Sequence, residues 1–190
     1  MSDSTDPDPT HLSPQLEERL REIFERRDRE AMQPTIDAFL QVLAEHPDNA
    51  AVLYEVAGSY DTAGEEETAL GYYERAMALG LSGDTLRRCL LQYGSTLRNL
   101  GRYDESLAAL DRALALYPRS ESVRMWHALS LHASGRSDAA VAALMELAID
   151  EIRTEDLVRY EAAIRGNSAY LRELDAARTA NHPARDQTDL

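Results

Sequence analysis

The chain has 190 residues, a formal net charge of −14 at pH 7, 44% hydrophobic residues and 6% aromatic residues. This apolar content supports a packed core and argues against disorder along the whole chain. The negative charge disfavours binding to nucleic acid or to an anionic membrane, because both require a cationic surface. The acidity is typical of a solvated surface, and an acidic face for a basic partner is the alternative.

The single cysteine and the absence of long apolar runs bear on the compartment. One thiol, Cys89, cannot form an internal disulfide, and its apolar helical surroundings predict a buried, inert side chain. No run of 18 apolar residues is present, and residues 1–12 form an acidic, Pro-rich segment without a signal-peptide core. We therefore expect a cytoplasmic protein with a disordered N-terminal arm over 1–12.

The first folded segment predicted from the N-terminus is a helical hairpin over residues 13–48, which serves as an N-terminal cap. Ser13 is a helix-capping residue and Pro14 suits a first turn, while a second helix is expected from Pro34 to just before Pro47. The apolar stripes are Leu16, Leu20, Ile23 and Phe24 on the first helix, and Ile36, Phe39, Leu40 and Leu43 on the second.

Three glycines then punctuate the chain at a nearly constant interval. Gly64, Gly101 and Gly135 are 37 and 34 residues apart, and each lies between two stretches of helical periodicity. A glycine at this point suits the left-handed residue that ends a helix. Each unit is therefore predicted to be a helix, a tight turn and a second helix. Small residues recur in register at Ala57, Gly94 and Ala128, at Ala69, Ser106 and Ala140, and at Ala76 and Ala113.

This period, with its small residues, its glycine and Pro118 at the end of the second unit, resembles the tetratricopeptide repeat. In that frame the repeats are residues 50–83, 87–120 and 121–154, and three extra residues near Gly83 separate the first two. The resemblance implies an all-α, right-handed α-solenoid of tetratricopeptide-type helix hairpins with about ten helices. The repeat domain as a whole is expected over residues 13–180.

The second repeat carries a narrower resemblance, and the third departs from the family pattern. The run Ser95–Arg102, preceded by Ala78–Leu81, is similar to a bacterial tetratricopeptide family without an assigned activity. In the third repeat, Arg124 replaces a usual aromatic residue or Leu, and Leu147 replaces a usual Ala. We expect the third repeat to pack less regularly and to begin a different surface.

The C-terminal segment 155–180 is predicted to form capping helices, because an end unit must present one polar face to water. Thr154 followed by two acidic residues is typical of a helix start. Gly166 and Asn167 are expected to break this helix, and a final helix is expected around Tyr170. Residues 181–190 show no apolar stripe and are expected to be disordered.

The search for catalytic or metal-binding patterns finds none that is specific. The glycines lie singly at helix ends, so no phosphate-binding loop is formed, and no Gly-x-Ser-x-Gly motif occurs. His127 and His132 are five residues apart, which points them to different faces of a helix. We predict a protein that is not an enzyme and that has no catalytic residues, no cofactor and no metal site.

The repeat frame predicts which side chains line a concave groove, because the first helix of each pair faces inward. The predicted groove residues are Tyr54, Gly58, Asp61, Arg88, Leu91, Ser95, Arg98, Asn99, Met125, Leu129 and His132. Arginine binds carboxylates bidentately, so Arg88 and Arg98 suggest a site for a partner carboxylate. The alternative is that these arginines pair with nearby acids such as Asp61 or Asp104.

The predicted function is that of a non-catalytic adaptor or scaffold that binds a partner peptide or protein in this groove. The lysine–asparagine clamp by which some members of the family hold chaperone tails is absent, since Tyr54 and Gly58, and Leu91 and Ser95, occupy the relevant positions. The alternatives are a self-assembling homodimer or a regulatory subunit of an enzyme or transcription system. No nucleic-acid or membrane partner is expected.

Overall fold

The computed structural model describes residues 12–181 of the chain. The predicted disordered arm and tail, apart from Leu12 and Asn181, lie outside these residues. The helices in the described part are α1 (Pro14–Glu25), α2 (Gln33–Glu45), α3 (Ala50–Thr62), α4 (Glu66–Ala78), α5 (Gly83–Asn99), α6 (Tyr103–Leu116), α7 (Glu121–Ala133), α8 (Ser137–Glu151), α9 (Glu155–Arg159) and α10 (Glu161–Asn181). These ten helices, with no strand between residues 12 and 181, confirm the predicted all-α helical-repeat class.

The three punctuating glycines end α3, α5 and α7 in the way their spacing predicts. Gly64, Gly101 and Gly135 have φ values of 78°, 77° and 83°, which is left-handed backbone that glycine adopts without a Cβ clash. The next residue in each case donates its N–H to a carbonyl five residues back, as Glu65 does to Tyr60 at 2.9 Å. The repeated Schellman motif therefore satisfies the free carbonyls at each helix end.

The chain divides into two compact units, Met1–Arg102 with α1 to α5 and Tyr103–Leu190 with α6 to α10. The first unit is built around α3, which contacts α2, α4 and α5. One apolar cluster joins α1, α2 and α3, and a second joins α3, α4 and α5. The two clusters consist of Leu16, Leu20, Phe39, Val42, Val52 and Val56, and of Ala50, Leu53, Tyr54, Ala57, Ala69, Tyr73, Ala76, Leu81 and Cys89.

The second unit packs α7 against α6 and α8, and packs α10 along α8. Leu131 and Ala140 belong to its apolar cluster, and the buried hydroxyls of Ser106 and Ser130 are hydrogen-bonded at 2.8 Å. Much of the α8–α10 contact is polar. Its ion pairs join Arg136 to Asp175, Arg172 to Glu146, Arg178 to Asp138 and Arg165 to Asp150.

Two local expectations are wrong. Gly166 does not break a helix: the break falls at Tyr160, and α10 continues from Glu161 because α8 supports it through side chains such as Ser168. The extra residues near Gly83 form the first turn of α5. Phe24 does not complete an apolar stripe, because it is 46% exposed and the Arg27 guanidinium lies 3.6 Å above its ring.

Candidate partner-binding surface

The predicted groove residues lie on three helices in the two units. Tyr54, Gly58 and Asp61 are on α3, and the five predicted residues from Arg88 to Asn99 are on α5, which contacts α3 in the first unit. Met125, Leu129 and His132 are on α7 in the second unit. The residues Tyr54, Gly58, Asp61, Arg88, Leu91, Ser95, Arg98 and Asn99 lie within a single unit, but Tyr54 is only 6% exposed and belongs to the apolar cluster between α3, α4 and α5. We call the faces of α3 and α5 that carry these residues the α3–α5 surface.

A cavity of about 120 Å³ opens beside α3 in the first unit. Tyr54, Gly58 and Gln92 line it together with side chains from α2 and from the α1–α2 connection. Its size is comparable with the cavity of about 150 Å³ that accepts a benzene molecule in a well-studied engineered protein. The cavity therefore has room for one small side chain of a partner.

Glu55 gives this cavity an unusual polar lining. Burial raises the pKa of its carboxyl to about 7, and the nearby charges of Arg88 and Arg27 oppose the rise. The Oε1 atom of Gln92 is also buried and accepts no hydrogen bond within residues 12–181. Two oxygen acceptors therefore lie in the cavity wall, so it suits a side chain that donates hydrogen bonds.

Sequence reasoning did not identify Glu55 or Gln92 as candidate site residues. The available signal for Glu55 was its place in the run Ala50–Ala57, where it is the single charged residue in an apolar helix. A carboxylate in such a stretch is seldom buried without a partner or a function. Gln92 offered no comparable signal, since glutamine is common on helix surfaces.

Arg98 is held in place but is not neutralised. Its Nη2 donates to Ser95 Oγ at 3.0 Å and to Asn99 Oδ1 at 3.3 Å. Its Nη1 is buried and has no hydrogen-bond partner within residues 12–181, and burial lowers the pKa of the guanidinium. Asp61, one of the two acids considered as its partner, instead accepts from Thr96 Oγ1 at 2.9 Å and from the Tyr73 hydroxyl at 3.4 Å. Because Nη1 has no exposed surface, the Arg98 side chain must turn outward before this nitrogen can donate to a carboxylate of a partner.

Arg88 has a different environment, although it lies on the same helix. Its Nε is 2.9 Å from Asp84 Oδ2, one turn earlier, and both side chains are more than half exposed. Such an exposed pair within one helix contributes about 0 to 1 kcal/mol. Arg88 is therefore ion-paired, as the alternative anticipates, but it shares the Asp84 carboxylate with Arg87, so the three charges together leave one net positive charge.

The three predicted residues on α7 are solvent-accessible. Met125 is 39% exposed and Leu129 is 41% exposed. His132 is also exposed, and its Nδ1 lies 3.4 Å from Ser137 Oγ. These positions offer apolar contact area, and they carry no charge that would orient a partner.

No group of three or more His, Cys, Asp or Glu side chains between residues 12 and 181 is arranged to hold a metal ion. Within the same range, no helix combines the length and the apolar character that crossing a membrane requires.

Comparison with known families identifies the repeat. A family model described as a tetratrico peptide repeat matches residues 50–174. The chain belongs to the tetratricopeptide repeat family. Repeats of this family mediate protein–protein interaction and are generally non-catalytic, so the coarse prediction of a protein-binding repeat domain is supported. No curated protein matches the chain at a significant level, and the resemblance to a bacterial family of unassigned activity stays a prediction.

Proposed function

We propose that this tetratricopeptide repeat protein is a non-catalytic adaptor that binds a peptide segment of a partner protein on the α3–α5 surface. Arg98 binds a carboxylate of the partner in this proposal. The supporting observation is that Arg98 is partly buried, is positioned by Ser95 and Asn99, and has an Nη1 without a partner among residues 12–181. Leaving a buried donor unsatisfied costs about 1 to 3 kcal/mol, so turning the Arg98 side chain outward to meet a partner carboxylate relieves that cost.

The cavity defines a second feature of the partner segment. Gln92, in the cavity wall, and Arg98 are six residues apart on α5, which places their side chains about 9 Å apart along the helix axis and about 120° apart around it. The cavity and Arg98 are therefore separate contact points for a partner segment. We propose that the segment carries an acidic residue for Arg98 and a small hydrogen-bond donor such as Ser, Thr or Asn for the cavity.

The test uses Arg98→Gln together with the matched variant Arg88→Gln. Each variant and the parent are immobilised and exposed to extract of the native cells, and captured proteins are quantified by mass spectrometry. Losing a charge-assisted hydrogen bond of about 1.5 to 3 kcal/mol predicts a roughly tenfold or larger drop in partner capture for Arg98→Gln. Arg88→Gln should capture the partner as the parent does, since Arg88 is already paired with Asp84.

Two outcomes would contradict this proposal. Equal capture by the parent and Arg98→Gln, with unchanged circular dichroism, would remove the α3–α5 surface as the binding site. Capture of nothing except the protein itself, with a dimeric mass by light scattering, would favour the homodimer alternative.

A further inference from the structure

A separate apolar groove of about 570 Å³ lies between α7 and α8 in the second unit. Met125 and Trp126 form one wall, while Leu144, Leu147 and Ile152 form the other. Met125, Leu144 and Ile152 are 39%, 37% and 49% exposed, so the groove is open to solvent. This volume is within the range of about 300 to 1,000 Å³ typical of ligand sites.

The same repeat positions are buried in the first repeat. Superimposing the frames on Gly64 and Gly135 relates Tyr54, Tyr73 and Leu81 to Met125, Leu144 and Ile152, in that order. The three first-repeat side chains are 6%, 0% and 7% exposed. The groove is therefore the stacking face of the third repeat, which no other helix within residues 12–181 covers.

The first repeat shows what covers such a face. Cys89 of α5 belongs to the same apolar cluster as Tyr54 and Tyr73, and Leu86 and Tyr93 pack against it. These three α5 residues are spaced by three and four positions, which puts them on one stripe of an amphipathic helix. The face thus accepts a helix with a large, a small and an aromatic residue at i, i+3 and i+7.

In the second unit, α10 follows α8 but covers a different side of it. Ser168 donates to the Ala142 carbonyl and to Glu146, and Arg178 pairs with Asp138. Residues 138, 142 and 146 recur every four positions along one stripe of α8. Leu144 and Ala148 are each two positions further on, about 200° around the helix, so they lie on the opposite side.

The charges at the groove favour a basic helix. Glu121 and Glu151, both exposed, lie at its rim, where α7 begins and α8 ends, and Glu151 is 3.4 Å from Arg124 Nη1. In the first repeat, the helix that covers the equivalent face carries Arg87 and Arg88 in its first two turns, where they share the single carboxylate of Asp84. An incoming helix with arginine or lysine at those positions is attracted mainly by Glu121, because Arg124 offsets the charge of Glu151.

We propose that the α7–α8 groove binds an amphipathic helix of another protein, with apolar residues at i, i+3 and i+7 and basic residues in its first two turns. This mode of recognition lays the apolar stripe of a helix into a groove. Trp126 is partly buried in the groove wall, and tryptophan is a frequent energetic anchor in such contacts. This site is independent of the α3–α5 surface and its partner segment.

The chain supplies its own probe for the test. A fluorescein-labelled peptide with the sequence of residues 82–100, carrying Cys89→Ala to keep a small residue and avoid oxidation, is titrated with the full-length protein. Saturable binding below about 100 μM by fluorescence anisotropy is expected, together with a change in the emission of Trp126, the single tryptophan. A second peptide with Leu86→Glu and Tyr93→Glu should bind at least tenfold more weakly.

Variants of the protein locate the binding. Leu144→Glu, in the groove, should weaken peptide binding at least tenfold. Tyr170→Glu is the matched control, because Tyr170 is an exposed large side chain on α10, at 58% exposure against 37% for Leu144, and does not line the groove. Circular dichroism confirms that both variants remain helical.

Three results would overturn the proposal: no binding of the peptide, equal binding by the parent and Leu144→Glu, or equal loss of binding in both variants. A further result would also overturn it: the parent protein is dimeric by light scattering and the Leu144→Glu variant is monomeric. A second copy of the chain would then occupy the groove.

Discussion

The first and third repeats present the same face to different surroundings. In the first repeat, Tyr54 and Tyr73 are covered by α5 and pack beside Cys89. In the third repeat, Met125 and Leu144 occupy the same positions and face solvent. A repeat position is therefore not buried by its own hairpin alone, because the next helix completes its burial. A helical repeat at which the stacking ends offers an apolar surface unless another element covers it.

The two units also differ in the kind of contact that holds their helices. Apolar clusters join α3 to its neighbours, whereas arginine–carboxylate pairs contribute much of the contact between α8 and α10. Apolar burial is insensitive to ionic strength, while ion pairs at the surface are screened by salt. The two units are therefore expected to respond differently to mutation, pH and salt.

The largest expected difference is between truncations at two equivalent positions. Tyr73→Ala, at a side chain with no exposed surface, should lower the free energy of unfolding by about 3 to 5 kcal/mol, since it leaves a cavity and removes a hydrogen bond to Asp61. Leu144→Ala, at a side chain that is 37% exposed, should cost about 1 kcal/mol or less. Urea denaturation followed by circular dichroism measures both. Similar losses for the two variants would show that the groove is covered in solution.

A smaller effect is expected from Glu55, the half-buried acid on α3 that lines the cavity. Its pKa is raised from 4.5 to about 7 in the folded protein, so the folded state keeps a proton that the unfolded chain releases between these values. The contribution of this bound proton to the free energy of unfolding is fully present below pH 4.5 and is lost as the pH rises to 7. Glu55→Gln should therefore gain about 2 to 3 kcal/mol relative to the parent between pH 4.5 and pH 7.5.

The comparison between parent and variant isolates this effect. Other carboxyls act in the opposite direction, since pairing with arginine lowers the pKa of Glu146 and Asp150 and makes the protein lose stability in acid. Those groups are the same in both proteins, so they cancel in the difference of urea midpoints at each pH. A difference that does not change with pH would mean that Glu55 is ionised normally in the folded state.

The smallest expected effect tests the ion-paired contact in the second unit. Asp175, whose side chain is 7% exposed, accepts two hydrogen bonds from Arg136. Asp175→Asn should cost about 1 to 2 kcal/mol, because a charged acceptor is replaced by a neutral one. Glu18→Gln, which weakens an exposed pair with Arg21 inside α1, should cost less than about 0.5 kcal/mol. Equal costs in urea denaturation at low salt would contradict the importance assigned to the α8–α10 pair.

Features with a local chemical cause could be predicted from the sequence. The glycines at 64, 101 and 135 were interpretable because the left-handed backbone that ends a helix strongly favours glycine. Ser13 likewise caps α1 by accepting from the Leu16 N–H at 3.2 Å. The helix break predicted at Gly166 was wrong because an isolated glycine inside a helix costs only about 1 kcal/mol of stability. The packing of α10 on α8 outweighs that cost.

The candidate site was less accessible to sequence reasoning, because it depends on neighbours that are distant in the chain. Arg88 and Arg98 look alike in the sequence, yet one pairs with Asp84 while the other retains a buried nitrogen without a partner among residues 12–181. The difference arises because Thr96 and Tyr73 occupy the Asp61 carboxylate. Packing decides which carboxylates already accept hydrogen bonds from other side chains. The hydrophobic periodicity of the sequence gives no information about this.

The position of Cys89 gives the chain an internal reporter of local opening. Its thiol is fully buried where α5 covers α3 and α4, and it is the single cysteine in the sequence. A thiol-specific reagent can reach it only when α5 separates from that face. The rate of Cys89 labelling therefore reports the free energy of the local opening in which α5 separates from α3 and α4. The measurement needs no engineered label.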